Sequence, residues 1–177
     1  RKTGSRIELI EVKAKSFDST SARPFRGARG GIDGGMKPYL QDVAFQRHVL
    51  GLAYPHLQCS SFLMLADKSK TCSVDGLNQR FKIGRVGGRP VVTVEPGTDA
   101  QSIGTPVLSC VNVDELVDEI LREPIEAPGA TGTLSELATT WAEQYRTDTR
   151  IAPAIGAHCA KCEFRVDPPQ AGMRSGL

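Results

Sequence analysis

At 177 residues the chain has the length of one domain, and 40% hydrophobic with 24% charged residues is the composition of a chain that buries a core. No apolar run reaches the roughly 18 residues of a transmembrane helix, so no membrane association is expected. Five cysteines, an odd number with no secretory leader ahead of them, argue against a disulfide framework and for a reducing, cytoplasmic compartment. The net charge of +2 is unevenly spread: residues 1–37 carry nine Lys and Arg against four Asp and Glu, residues 38–177 thirteen against sixteen. A basic front end fits a polyanionic partner, and equally a solvated basic loop. The chain opens on Arg1 and closes in a Gly/Pro-rich stretch, and we expect it to be a piece of a longer protein.

Gly4-Ser5 reads as a hairpin turn feeding a strand at Ile7–Lys15, I-E-L-I-E-V-K-A-K. Residues two apart share a face of a strand, which groups Leu9, Glu11, Lys13 and Lys15 against Ile10, Val12 and Ala14. Phe17–Pro38 is a long Gly/Arg/Ser-rich loop holding Arg23, Arg26 and Arg29. A helix is expected over Tyr39–Ala53, with Leu40, Val43, Ala44, Val49, Leu50 and Ala53 inward and Gln46 along the same side. Gln58–Ala66 reads as a buried strand, and strand–helix–strand is the βαβ pattern of an α/β fold. Val74, Leu77 and Phe81 read as packing anchors of a polar connector. Arg89–Val94 is a short strand after the Gly87-Gly88 turn, and 98–111 reads as irregular. A helix follows from Asn112, with Glu115 three residues on. Another follows from Thr133, capped by Glu136 and turning Leu134, Leu137, Ala138 and Trp141 inward. We expect the main domain to span 1–150 and a cysteine-bearing clasp to span 151–177.

Glu11 and Lys13 place a carboxylate and an ammonium on one strand face, about 7 Å apart. Half-buried charges are costly unless they pair or bind a metal. Phosphodiester hydrolysis needs a divalent cation held by carboxylates, and a neighbouring lysine can stabilise developing negative charge. An E-x-K alone also fits a simple ion pair on a solvated strand face. Asp42 lies one turn before Gln46, where it could assist the site or favour the helix dipole. The Arg23, Arg26, Arg29 loop fits phosphate binding along a DNA strand, or a surface insertion. Cys159 and Cys162 in H-C-A-K-C have the C-x-x-C spacing of half a zinc or iron–sulfur site. His158 adjoins them.

The stretches L-I-E-V-K-A-K and D-V-A-F-Q-R-H-V-L resemble the E-x-K strand and the glutamine-bearing helix of the PD-(D/E)XK nuclease superfamily. The resemblance is to its RecB-like and CRISPR-associated exonucleases, and within them to a bacterial subfamily in which a DnaQ-like exonuclease domain follows. It implies a restriction-endonuclease-like α/β fold, a mixed central sheet flanked by helices, with a C-terminal cysteine-bearing clasp. It implies a Mg²⁺- or Mn²⁺-dependent deoxyribonuclease acting on DNA, single-stranded or at ends. By the same resemblance Glu11 is a metal ligand with the Val12 carbonyl, Lys13 is the catalytic lysine and Gln46 the helix glutamine. Cys159 and Cys162 would belong to a 4Fe-4S cluster completed outside this chain. The family's other metal-ligating aspartate, carried on the preceding strand, has no counterpart in Arg1–Arg6. The alternative is therefore a catalytically incomplete, nuclease-like DNA-binding module with a structural metal site. Oligomeric state, DNA polarity and endo- or exo-action are not legible.

Overall fold

Gly4, at φ 57°, turns Lys2–Thr3 (β1) back antiparallel onto Arg6–Phe17 (β2), as the Gly-Ser pair predicts. These strands open a computed structural model that describes residues 1–127, 130–151, 155, 156, 159 and 160. The chain divides into two compact units, Arg1–Ile120 and Leu121–Leu177.

In the first unit β2 passes through the 18–36 loop into Lys37–Ala53 (α1) and returns as Gln58–Asp67 (β3), parallel to β2. Pro38 sits in the first turn of α1, where its missing N–H costs no helical hydrogen bond. The 18–36 loop is packed rather than free. Phe25 is buried and stacks on Phe17 with ring centroids 5.6 Å apart, and Met36 is buried beside α1. Arg26 bridges to Ile32 within the loop.

After β3 comes a single 3-10 turn at Leu77–Arg80, then a hairpin of Phe81–Val86 (β4) and Arg89–Val94 (β5). Phe81, expected as a packing anchor, is exposed on that hairpin. Leu108–Asn112 (β6), within the segment read as irregular, is a true strand antiparallel to β3. The central sheet thus has the order β1-β2-β3-β6 and is mixed. Asp114–Arg122 (α2) follows directly; Asn112 ends the strand and accepts the Asp114 N–H at 3.0 Å, instead of starting the helix.

Leu63 and Leu65 of β3, Leu40, Val43 and Ala44 of α1, and Val113, Leu116, Val117 and Ile120 around α2 are buried and form the core. Arg47 of α1 pairs with Asp114 and Asp118 of α2, at 3.4 and 2.8 Å, and holds the two helices side by side. Asp114 also accepts the Ser61 N–H at 2.7 Å, which ties α2 to β3. The opposite sheet face is more open: Val12 is 62% exposed, and Leu108 is exposed as well.

Asp67 closes the far end of β3. Its buried carboxylate accepts hydrogen bonds from the hydroxyls of Ser69 (2.7 Å) and Ser109 (2.8 Å) and from the Ser19 N–H (3.3 Å). Burial alone would raise its pKa, but these bonds outweigh it and hold the carboxyl well below its ordinary 3.8. A lowered folded-state pKa means the unfolded chain binds the proton more readily. The stabilisation is therefore complete above the ordinary carboxyl range and is lost as pH falls below about 4. Asp67→Asn should lower stability at neutral pH and flatten the acid limb of the stability–pH curve, as read by urea midpoints from pH 7 to pH 2.

The second unit contains Ile125–Ala127 (β7), Ala130–Gly132 (β8) paired antiparallel to it, and Leu134–Arg146 (α3). The expected capping box is formed: the Thr133 hydroxyl accepts from the Glu136 N–H, and the Glu136 carboxylate accepts from the Thr133 N–H at 2.8 Å. Leu137 is buried as expected, whereas Trp141 is exposed. α3 packs on β8 within this unit. Thr133→Ala should cost about 1 kcal/mol of helix stability, detectable as a loss of helical circular dichroism on heating.

Candidate functional site

Four polar side chains from β2 and α1 meet at the margin of the core. Glu11 and Lys13 lie on the face of β2 that α1 covers, and their side chains are 25% and 21% exposed. Glu11 is in register with buried Leu63, so its carboxylate is brought to the edge of the apolar core rather than to open solvent.

The strand is irregular at this point. Val12 pairs with Met64, and the next pair is Ser16 with Ala66, so Lys13, Ala14 and Lys15 stand opposite Leu65 alone. Such a bulge re-aims side chains and ends regular pairing. It leaves Lys15 without a register partner on β3, at an exposed position of the strand. It also puts the Val12 carbonyl where the ladder breaks, a position suited to binding something other than the neighbouring strand.

Lys13 Nζ lies 2.8 Å from Glu11 Oε1 and 2.5 Å from Asp42 Oδ2. Gln46 Nε2 donates to Glu11 Oε2 at 3.2 Å and approaches Asp42 Oδ1 at 3.5 Å. The Tyr39 ring centroid is 5.8 Å from Lys13 Nζ, within cation–π range. The hydrogen bond to Asp42, then that to Glu11, raises the Lys13 ammonium well above the ordinary lysine range, so it is fully charged at neutral pH. Lys13 in turn holds the Asp42 carboxyl below its usual value. The result is two carboxylates converging on one cation, with an amide bridging them.

The expected Glu11, Lys13 and Gln46 are thus brought together. Asp42 belongs with them: it lies beyond the first turn of α1, where the dipole effect is concentrated, and its partner is Lys13. Tyr39 is a further member that the E-x-K and glutamine motifs do not mark. The signal was present, because Tyr39, Asp42 and Gln46 recur at three- and four-residue steps along one helix stripe.

Hard oxygen donors of this number suit a cation that takes one or two protein carboxylates and completes its shell from water and phosphate, as Mg²⁺ and Mn²⁺ do. Among the described residues no group of three or more His, Cys, Asp or Glu converges, so an all-protein cage is not formed there.

Of the loop arginines, Arg26 is committed to Glu119 at 2.7 Å, while Arg23 and Arg29 are exposed. Cys159 accepts the Gly156 N–H at 3.4 Å, and Cys162 and His158 lie outside the described residues. Burial pushes the thiols of Cys59 and Cys110 up, away from ready thiolates. No helix among the described residues is long and apolar enough to cross a membrane. Comparison with family models, with curated proteins and with solved structures finds no match to this chain.

Proposed function

We propose that the chain carries a metal-dependent deoxyribonuclease site of the PD-(D/E)XK kind, set in a restriction-endonuclease-like core. One observation carries the reading: the carboxylates of Glu11 and Asp42 converge on the Lys13 ammonium, and Gln46 hydrogen-bonds Glu11. The topology is consistent with it, since the E-x-K strand lies centrally, its parallel neighbour follows through a crossover, and the crossover helix bears the glutamine.

In this reading Glu11, with the Val12 carbonyl, offers the oxygen donors for Mg²⁺ or Mn²⁺. A bound divalent cation supplies Lewis-acid polarisation of a phosphodiester and a better nucleophile at neutral pH. Lys13 contributes a fixed positive charge beside the scissile phosphate, where charge develops in the transition state. Gln46 orients Glu11, and Asp42 holds Lys13 in place. The basic stretch 1–37, with exposed Arg23 and Arg29, attracts the DNA backbone. Cys159 and Cys162 would belong to an iron–sulfur clasp.

The DNA-binding-module reading is favoured by one observation of its own: β1 carries Lys2 and Thr3 and no carboxylate. The two separate on labelled single- and double-stranded DNA incubated with Mg²⁺ or Mn²⁺, using the full reading frame with any companion exonuclease domain inactivated. Cleavage that requires the metal supports the enzyme. Tight binding without cleavage at any metal concentration supports the module and removes the nuclease.

A further inference from the structure

The 68–107 excursion between β3 and β6 holds a feature that the cleavage site does not use. The Asp67 N–H donates to the Val107 carbonyl at 2.9 Å, so the chain leaves and re-enters the sheet at one point. That point lies just beyond the Met64–Val12 pairing, at the end of the sheet where Lys13 sits. The excursion projects the β4–β5 hairpin. Gly87 and Gly88, at φ 57° and 81°, supply the two left-handed positions a tight hairpin turn requires.

Every residue of both strands is exposed. Cross-strand pairing puts Phe81 beside Val94 and Ile83 beside Val92 on one face, and Arg85 beside Pro90 nearer the tip. Ile83 is 82% and Val92 60% exposed. Lys82 is satisfied by Glu95 at the base, whereas Arg85 and Arg89 at the tip have no carboxylate partner among the described residues. From Arg80 to Glu95 the segment carries four basic residues against one acidic.

A two-stranded ribbon with neither face buried is marginal in water, and a contiguous apolar strip on it marks a surface that something covers. The cover must accept apolar contact along the ribbon and bring negative charge to the tip. A second copy packed ribbon against ribbon would cover the strip but bring to Arg85 and Arg89 a segment of four basic residues and one acidic, Glu95, which is already paired with Lys82. A DNA duplex brings both: phosphates along the groove rims, and base edges that accept apolar side chains, in a major groove about 12 Å wide that admits a two-stranded ribbon.

We infer that the Phe81–Val94 hairpin is a duplex-binding ribbon, with Arg85 and Arg89 on phosphates and the Phe81, Ile83, Val92, Val94 strip against the groove. The inference rests on the DNA reading of the cleavage site and narrows it. The substrate is a duplex, or the duplex flank of a DNA end, held at the end of the sheet where Lys13 lies.

The test uses the full chain, with fluorescence anisotropy on a short labelled duplex over a salt series. Wild type is compared with Arg85→Ala/Arg89→Ala and with Ile83→Ser/Val92→Ser, and cleavage of a labelled single strand is followed in parallel. The arginine pair should lose about tenfold or more in duplex affinity and about two in the log–log salt slope, at about 0.9 per phosphate. The apolar pair should lose affinity with the slope unchanged, and both should keep single-strand cleavage. The strands are exposed on both faces, so the core is untouched, and circular dichroism checks this.

Unchanged duplex affinity and slope in both variants overturns the ribbon. So does a wild type that binds no duplex. So does a dimer that Ile83→Ser/Val92→Ser dissociates, or binding to anionic phospholipid vesicles that the arginine pair abolishes, when duplex binding stays unchanged. A wild type that grips duplex through the hairpin but cleaves no DNA keeps the ribbon and removes the cleavage reading.

Discussion

Lys13→Ala is expected to slow DNA cleavage by about 10²–10³-fold at saturating metal, the scale of losing one preorganised charge aimed at the transition state. The lysine is held from two sides, by Glu11 at 2.8 Å and Asp42 at 2.5 Å, so little of its charge is wasted on reorganisation. Arg at the same position should not rescue. The planar guanidinium is longer and forked, and it cannot place one compact charge between two carboxylates and over the Tyr39 ring. Asp42→Asn keeps the shape of the cluster but removes one of the two anchors, so its loss should be smaller than that of Lys13→Ala. An Asp42→Asn loss equal to that of Lys13→Ala would mean that Asp42 does more than position the lysine. Single-turnover cleavage rates, with far-ultraviolet circular dichroism to confirm folding, check all three.

Leu63→Ala is expected to cost about 2–5 kcal/mol of stability, the range for truncating a fully buried leucine. Leu63 lies in the central strand, in register with Glu11 on one side and with Val111 on the other. A cavity there removes contacts from the core and loosens the strand that aims the carboxylate, so cleavage should fall along with stability. Val12→Ala, on the opposite and 62% exposed face, should stay within about 0.5 kcal/mol. Urea midpoints of the two variants make the comparison. A small Leu63→Ala effect would mean that the α1 face is not the core.

The parts of this fold that are legible in the sequence are those whose signal is local. The β-branched run at Ile7–Val12, the Pro38 entry to α1 and the apolar Gln58–Ala66 stretch each carry their own pattern, and so does the Thr133–Glu136 box. What escaped the sequence depends on neighbours. β6 is five residues of L-S-C-V-N and is a strand only because β3 offers it an edge. Val49 and Ala53 fit the helical period of α1 but are exposed, because burial is confined to the Leu40–Ala44 half of the helix. The bulge after Val12 has no Gly or Pro to announce it. The candidate site was readable in Glu11, Lys13 and Gln46. Asp42 fitted two roles on the sequence alone, and only the three-dimensional convergence on Lys13 favours one of them.

The most direct measurement is a Mn²⁺ titration of DNA cleavage by the full reading frame, wild type beside Glu11→Gln, with any companion exonuclease domain inactivated in both. Glutamine keeps the size of the side chain and its contact with Gln46 while removing the charge that would hold the cation. The account predicts a wild-type rate that rises with Mn²⁺ and saturates, and a Glu11→Gln rate that stays at the no-metal baseline. Superimposable curves for the two proteins would contradict it.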